Sequence, residues 1–145
     1  MSNAPMSVHM LAWPKVKEEY MDEALQAKWD KFISIRSEIT KVLELARRNK
    51  TIGHSLDAKV ELHATGETLA ALKTVENELA TLLIVSQASI VEDNAEGEAT
   101  GLEDLKVVVK AAEGAKCERC WIYGDEVGKD AEHPTLCARC ASVVR

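Results

Sequence analysis

Lys116-Cys117-Glu118-Arg119-Cys120-Trp121 and Leu136-Cys137-Ala138-Arg139-Cys140 decide how the end of this chain folds. Its only four cysteines fall in the pattern C-x2-C-x16-C-x2-C within the last 29 of 145 residues. Each C-x2-C turn aims two sulfurs at one point, and two such turns complete a tetrahedron around zinc. Two disulfides would need an oxidising compartment, which nothing else in the sequence suggests. Four unrelated thiols would not fall into two close pairs. With cysteine at all four positions the site is closed, so the metal expected here is one structural Zn²⁺ rather than a catalytic one. Four thiolates and Zn²⁺ sum to −2, a charge that Lys116, Arg119 and Arg139 can offset, also by donating N–H bonds to sulfur. His133, four residues before Cys137, is a rival ligand outside the paired geometry.

Upstream of this module the hydrophobic period changes twice. Between Val16 and Asn49 the residues Leu25, Trp29, Phe32, Arg36, Ile39, Leu43 and Ala46 recur at spacings of three and four, which predicts one long helix. Pro14 can start it, and Lys50-Thr51-Ile52-Gly53 can end it, with basic residues near the negative end of the dipole. Arg36 interrupts the apolar stripe. Either its stem packs while its head reaches water, or its charge is held toward a partner. From Asp57 the period is two: Ala58, Val60 and Leu62 alternate with Lys59, Glu61 and His63, a half-buried strand with His63 on the solvent side. A second helix is expected over about Gly66–Leu82, on the stripe Leu69, Leu72, Val75, Leu79 and Leu82. Leu83–Ser86 and Ala88–Val91 read as one bent strand or two short ones, Glu92–Asp104 as an acidic loop, and Leu105, Val107, Val109 and Ala111 as a third strand. The fold class is α+β: a long N-terminal helix, a small β-α-β-β unit and a C-terminal four-cysteine zinc knuckle module.

Composition narrows the function. Hydrophobic residues make up 46% and charged residues 29%, a globular balance. No apolar run approaches the roughly 18–20 residues of a membrane span. The net charge of −6 disfavours a general nucleic-acid binder, but it is unevenly spread. Residues 33–60 carry six basic and three acidic side chains, densest at Arg47-Arg48-Asn49-Lys50, whereas residues 61–105 carry one basic and ten acidic. Such a chain can meet a polyanion with one face or merely solvate its helices and loops. There is no P-loop and no Gly-x-Ser-x-Gly elbow, and the cysteines are committed to metal. Met1-Ser2-Asn3-Ala4 reads as an expression-vector remnant, so residues 1–6 are set aside as tag or linker and the chain as a piece of something longer. The residues alone describe a zinc-bearing binding or structural module.

Thr51-Ile52-Gly53-His54-Ser55-Leu56-Asp57-Ala58-Lys59-Val60-Glu61-Leu62 resembles the segment that follows the anticodon-binding helices in bacterial isoleucyl-tRNA synthetases. Ser7-Val8-His9-Met10 with Trp13-Pro14, and Leu43-Glu44-Leu45-Ala46-Arg47-Arg48-Asn49-Lys50, resemble the end of that helical domain. The two cysteine segments are similar to the family's C-terminal zinc finger, so the resemblance runs from about Ser7 to Arg145. It is to the bacterial branch, since many eukaryotic and archaeal relatives lack the finger.

The resemblance implies boundaries at 7–53 (end of the helical domain), 54–114 (small α+β unit) and 115–145 (zinc finger). It implies a cytoplasmic, monomeric aminoacyl-tRNA ligase whose ATP-using and editing domains lie upstream, with isoleucine tRNA, met at the anticodon end, and those upstream domains as partners. Arg119 and Trp121 carry over as RNA-facing candidates, and Arg36, Arg47, Arg48 and Lys50 as basic surface near the anticodon-binding helices. Trp121 either forms the finger's miniature core or presents its ring to an unpaired base. Two other classes remain open: a zinc-ribbon protein-interaction module, and a DNA-binding finger like that of a repair glycosylase, which would have to be basic where this finger is neutral.

Overall fold

The computed structural model describes residues 7–144; the expected tag or linker at 1–6 and the terminal Arg145 lie outside them. The long helix α1 spans Glu23–Arg48, later than the periodicity suggests. Asp22 is its N-cap, its carboxylate accepting the Leu25 amide at 2.9 Å. Residues 16–22 contain only a short 3-10 turn at Glu18–Tyr20, so Pro14 does not start the helix. The cap sets the boundary because Asp satisfies one of the four orphan amides of the first turn.

The buried stripe of α1 also shifts by part of a turn. Phe32, Ile35, Ile39, Val42, Leu43 and Ala46 enter the core, while Leu25 is exposed. Trp29 closes the end of that stripe edge-on to Phe32, with ring centroids 5.8 Å apart. At the C-terminus Lys50, with φ of 61°, takes the left-handed position expected of Gly53. The Thr51 amide then reaches the Ala46 carbonyl and the Lys50 amide that of Arg47, which is a Schellman closure.

A four-stranded sheet lies against this helix in the order β2-β1-β4-β3. β1 (Ala58–Ala64) pairs parallel with β2 (Gln87–Val91) and antiparallel with β4 (Leu105–Ala111). Register places Val60 opposite Ala88 and Val109, and Leu62 opposite Ile90 and Val107. One face is therefore apolar, and it joins the α1 stripe in a single core. A fully buried Leu or Ile there is worth about 1.5–3 kcal/mol.

The crossover from β1 to β2 is not one helix. α2 covers Gly66–Lys73, a turn covers Glu76–Glu78, and α3 covers Leu79–Leu83. Thr74 stops α2, its hydroxyl bonding the Ala71 carbonyl at 2.8 Å. Leu72, Val75, Leu79 and Leu83 nevertheless all reach the core. Ile84 turns left-handed after α3 (φ 58°), so the strand begins at Gln87 rather than at Leu83. The acidic loop contributes a two-residue edge strand, β3 (Glu98–Ala99), antiparallel to β4. It also folds over the polar face of the sheet: His63, expected in solvent, is only 6% exposed, with Nδ1 2.6 Å from Asp93. Pairing with a residue thirty positions downstream satisfies the buried imidazole.

Two short strands, β5 (Ala115–Lys116) and β6 (Tyr123–Gly124), and the helix α4 (Ala138–Val144) frame the last module. Several bonds fasten it to the sheet. Gln87 brackets the backbone of Glu113, accepting its amide at 2.9 Å and donating to its carbonyl at 3.0 Å. Ser86 Oγ accepts the Tyr123 amide at 2.8 Å and donates to the Leu56 carbonyl.

Candidate metal centre and its surface

The first knuckle closes when the Trp121 amide bonds the Cys117 carbonyl at 2.8 Å, and the second when Ala141 bonds Cys137 at 2.9 Å and opens α4. Between them the Glu118 amide meets the Thr135 carbonyl at 3.2 Å, bringing the two turns together. The four sulfurs lie within 4.8 Å of one another, and all four cysteines are free thiols. A tetrahedron of about 2.3 Å Zn–S bonds has edges of about 3.8 Å; Cys120 and Cys137 are 3.8 Å apart. The donor set, spacing and burial fit one structural zinc. His133 stays outside, its amide turned toward Asp130. Among the described residues no other group of His, Cys, Asp or Glu gathers in this way.

The protein prepares these sulfurs electrostatically. Burial pushes the Cys117 thiol up, but the amides of Cys120, Cys137 and Arg119 pull it down, to about 6. Cys137 moves the other way, pushed up to about 11 by burial and the neighbouring thiols. Four thiols crowded together share protons until a dication replaces them. Arg139 lies beside the Cys120 sulfur and feels Cys140 and Cys137, so its guanidinium is held charged against the cluster. Of the basic residues beside the cysteines, Arg139 is the one whose charge couples to the sulfurs. Lys116 points elsewhere: its ammonium lies 5.6 Å from the Trp121 ring, 5.5 Å from the Tyr123 ring and 3.9 Å from Asp57.

Trp121 is not a core residue. It is 56% exposed and sits at φ 66°, a conformation that is an outlier for so bulky a side chain. Arg119, at the tip of the same knuckle, is exposed too.

The basic residues near α1 divide into two kinds. Arg36 Nε donates to the Leu82 carbonyl at 2.8 Å, which pins the end of α3 to α1. Arg47 is shared between Glu44 at 2.6 Å and Ser55 at 2.8 Å. Lys50, by contrast, is exposed, and Arg48 lines a shallow groove of about 530 Å³ along α1 with Ile33, Arg36, Ser37, Thr40, Lys41 and Glu44. Lys116 and Tyr123 were not singled out as a pair by sequence; their juxtaposition depends on β5–β6 register, for which two-residue strands leave no periodic signal.

A closed four-sulfur centre at the end of a small α+β body defines a zinc-finger module, and residues 114–143 match the family described as the zinc finger found in FPG and IleRS. Across nearly all of its length the chain matches a segment of isoleucine–tRNA ligases. It is 51% identical over 142 residues to the isoleucine–tRNA ligase of Desulforamulus reducens and 46% identical over 142 residues to that of Geobacter sulfurreducens. Against that of Moorella thermoacetica the identity is 41% over 146 residues. These matches cover 96–97% of the chain but only 15–16% of each relative. Among the described residues no helix is long and apolar enough to cross a membrane.

Proposed function

We propose that this chain is the C-terminal, tRNA-engaging part of an isoleucine–tRNA ligase, which attaches isoleucine to its cognate tRNA at the expense of ATP. The catalytic and editing centres belong to upstream domains of the parent enzyme, a cytoplasmic monomer. Residues 7–53 complete the anticodon-binding helical domain, 54–114 form the small α+β unit and 115–145 the finger. The exposed Trp13, Val16, Tyr20 and Met21 suit a surface that faces the upstream domains. Cys117, Cys120, Cys137 and Cys140 hold the single zinc, which when bound supplies folding energy to a module with little core of its own.

Trp121 carries the reading at the anticodon end. Backbone strain in a bulky exposed residue persists where function retains it, and single-stranded RNA is read largely by stacking on aromatic rings. The Trp121 indole stacks on an unpaired base of the anticodon loop while Arg119 takes a neighbouring phosphate or base edge. Arg48 and Lys50 supply long-range attraction, with Arg36 and Arg47 contributing whatever charge their internal bonds leave outward.

The test is binding of the zinc-loaded chain to isoleucine tRNA and to duplex DNA in parallel. Net charge −6 predicts weak association with tRNA that falls with salt and none with the duplex. Preference for duplex DNA would overturn the proposal in favour of a glycosylase-like finger. Binding to neither would overturn it in favour of a protein-interaction module.

A further inference from the structure

Register in the β5–β6 ribbon sets Lys116 opposite Tyr123, and the first knuckle swings Trp121 back over the same lysine. The ammonium thus lies between two rings, at 5.6 and 5.5 Å from their centroids, within the roughly 6 Å range of cation–π attraction. Behind it stands Asp57 at 3.9 Å. Asp57 is itself fixed: its carboxylate accepts the His54 amide at 2.7 Å and its carbonyl the Ala112 amide at 2.7 Å. The lysine is therefore anchored to the α+β body through Asp57 and reaches the two rings.

An exposed indole on a single strained residue would otherwise wander, and ordering it on binding would cost affinity. A cation over the ring holds it while more than half of the residue stays exposed. The geometry points to Lys116 as a positioning residue that, with Asp57 behind it and Tyr123 beside it, presets the Trp121 indole for an unpaired base. The inference rests on the stacking reading above and adds how the ring is held.

The experiment uses the zinc-loaded full chain with Trp13→Phe and Trp29→Phe, so that Trp121 alone emits, and the anticodon stem-loop of isoleucine tRNA as probe. Without RNA, Lys116→Met should lower the anisotropy of Trp121 emission and increase its quenching by acrylamide, and Lys116→Arg should restore both. Stem-loop binding should weaken about two- to fivefold in Lys116→Met, with zinc content and salt dependence unchanged. Added to Trp121→Ala, the same substitution should cost nothing further. Unchanged anisotropy would overturn the inference. So would an equal loss in the Trp121→Ala background with a shallower salt slope, which would make Lys116 a direct phosphate contact. If Trp121→Ala binds as well as its parent, the stacking reading falls and the purpose assigned to Lys116 falls with it, whereas the RNA-free anisotropy still decides whether Lys116 holds the ring.

Discussion

Gly114, just before β5, packs so closely on Gly124 of β6 that a Cβ on Gly114 would lie 2.5 Å from the Gly124 carbonyl carbon. Gly114 also has φ of +88°, so the position excludes a side chain on both steric and conformational grounds. The ribbon is where the metal module joins the sheet, and Cys117 follows it directly. Gly114→Ala should therefore loosen the first knuckle. We expect a loss of more than about 1 kcal/mol in stability and faster transfer of zinc to a colorimetric chelator, while the sheet and α1 keep their far-ultraviolet signature. Full chelation of the unsubstituted chain should do the same more completely, unfolding residues 115–144 and leaving the α+β body folded. A single global transition on chelation would refute that independence.

Lys50 offers a gain and a loss in one substitution. At φ 61° it occupies the position after a helix where glycine is favoured, and a lysine there carries roughly 1–2 kcal/mol of strain, partly offset by glycine's greater freedom when unfolded. Lys50→Gly should raise the thermal midpoint by a few degrees, for a gain of about 0.5–1 kcal/mol. It should also weaken tRNA binding for all sequences alike and flatten the salt slope by about one unit, having removed one phosphate partner. Arg48→Gln should reproduce the second effect without the first. A lower midpoint in Lys50→Gly would show that the closure of α1 depends on the lysine itself.

Asp93 ties the acidic loop to the sheet. Its carboxyl is held below the usual range by the Ala95 amide and by His63. A carboxyl depressed on folding stabilises fully above its unfolded value, near pH 4, and that contribution disappears as pH falls through the lower folded value. The stability difference between the native chain and Asp93→Asn should hold from neutral pH down to about pH 4 and close below it. Comparing urea midpoints from pH 7 to pH 2 measures it. A difference that persists into strong acid would assign the effect to shape rather than charge.

What could be read without coordinates was whatever chemistry writes into local spacing. The cysteine pairs were legible because tetrahedral zinc demands them, and Ala58, Val60 and Leu62 because one strand face must be dry. The break in the second helix was hidden: Leu72, Val75 and Leu79 all stay buried through the turn, so the stripe runs on while the backbone does not. His63, Arg36 and Arg47 were misplaced or left open for a different reason. Their partners, Asp93, Leu82 and Ser55, come from separate elements, and only the closed sheet and helix bring them near. Asp22 as the true start of α1 was available in principle, since an acidic cap precedes the buried stripe, but Pro14 offered an earlier and equally regular beginning.

Trp121 separates folding from recognition most sharply, because backbone and ring can be changed independently. At φ 66° the residue carries strain that alanine retains and glycine relieves. With the residue 56% exposed, neither substitution opens a cavity. Trp121→Ala should therefore leave zinc content and the thermal midpoint close to native, and Trp121→Gly should match or exceed native stability. In both, the stacking surface is gone. Base–aromatic stacking is worth about 1–3 kcal/mol, so both should bind isoleucine tRNA, or support its charging in the parent enzyme, roughly ten- to a hundredfold less well. Agreement between the two variants in RNA binding, set against their divergence in stability, assigns the indole to the ligand and the left-handed turn to the fold. Loss of zinc in both would instead make Trp121 the finger's own packing residue, and native-like RNA binding in both would remove the ring from recognition.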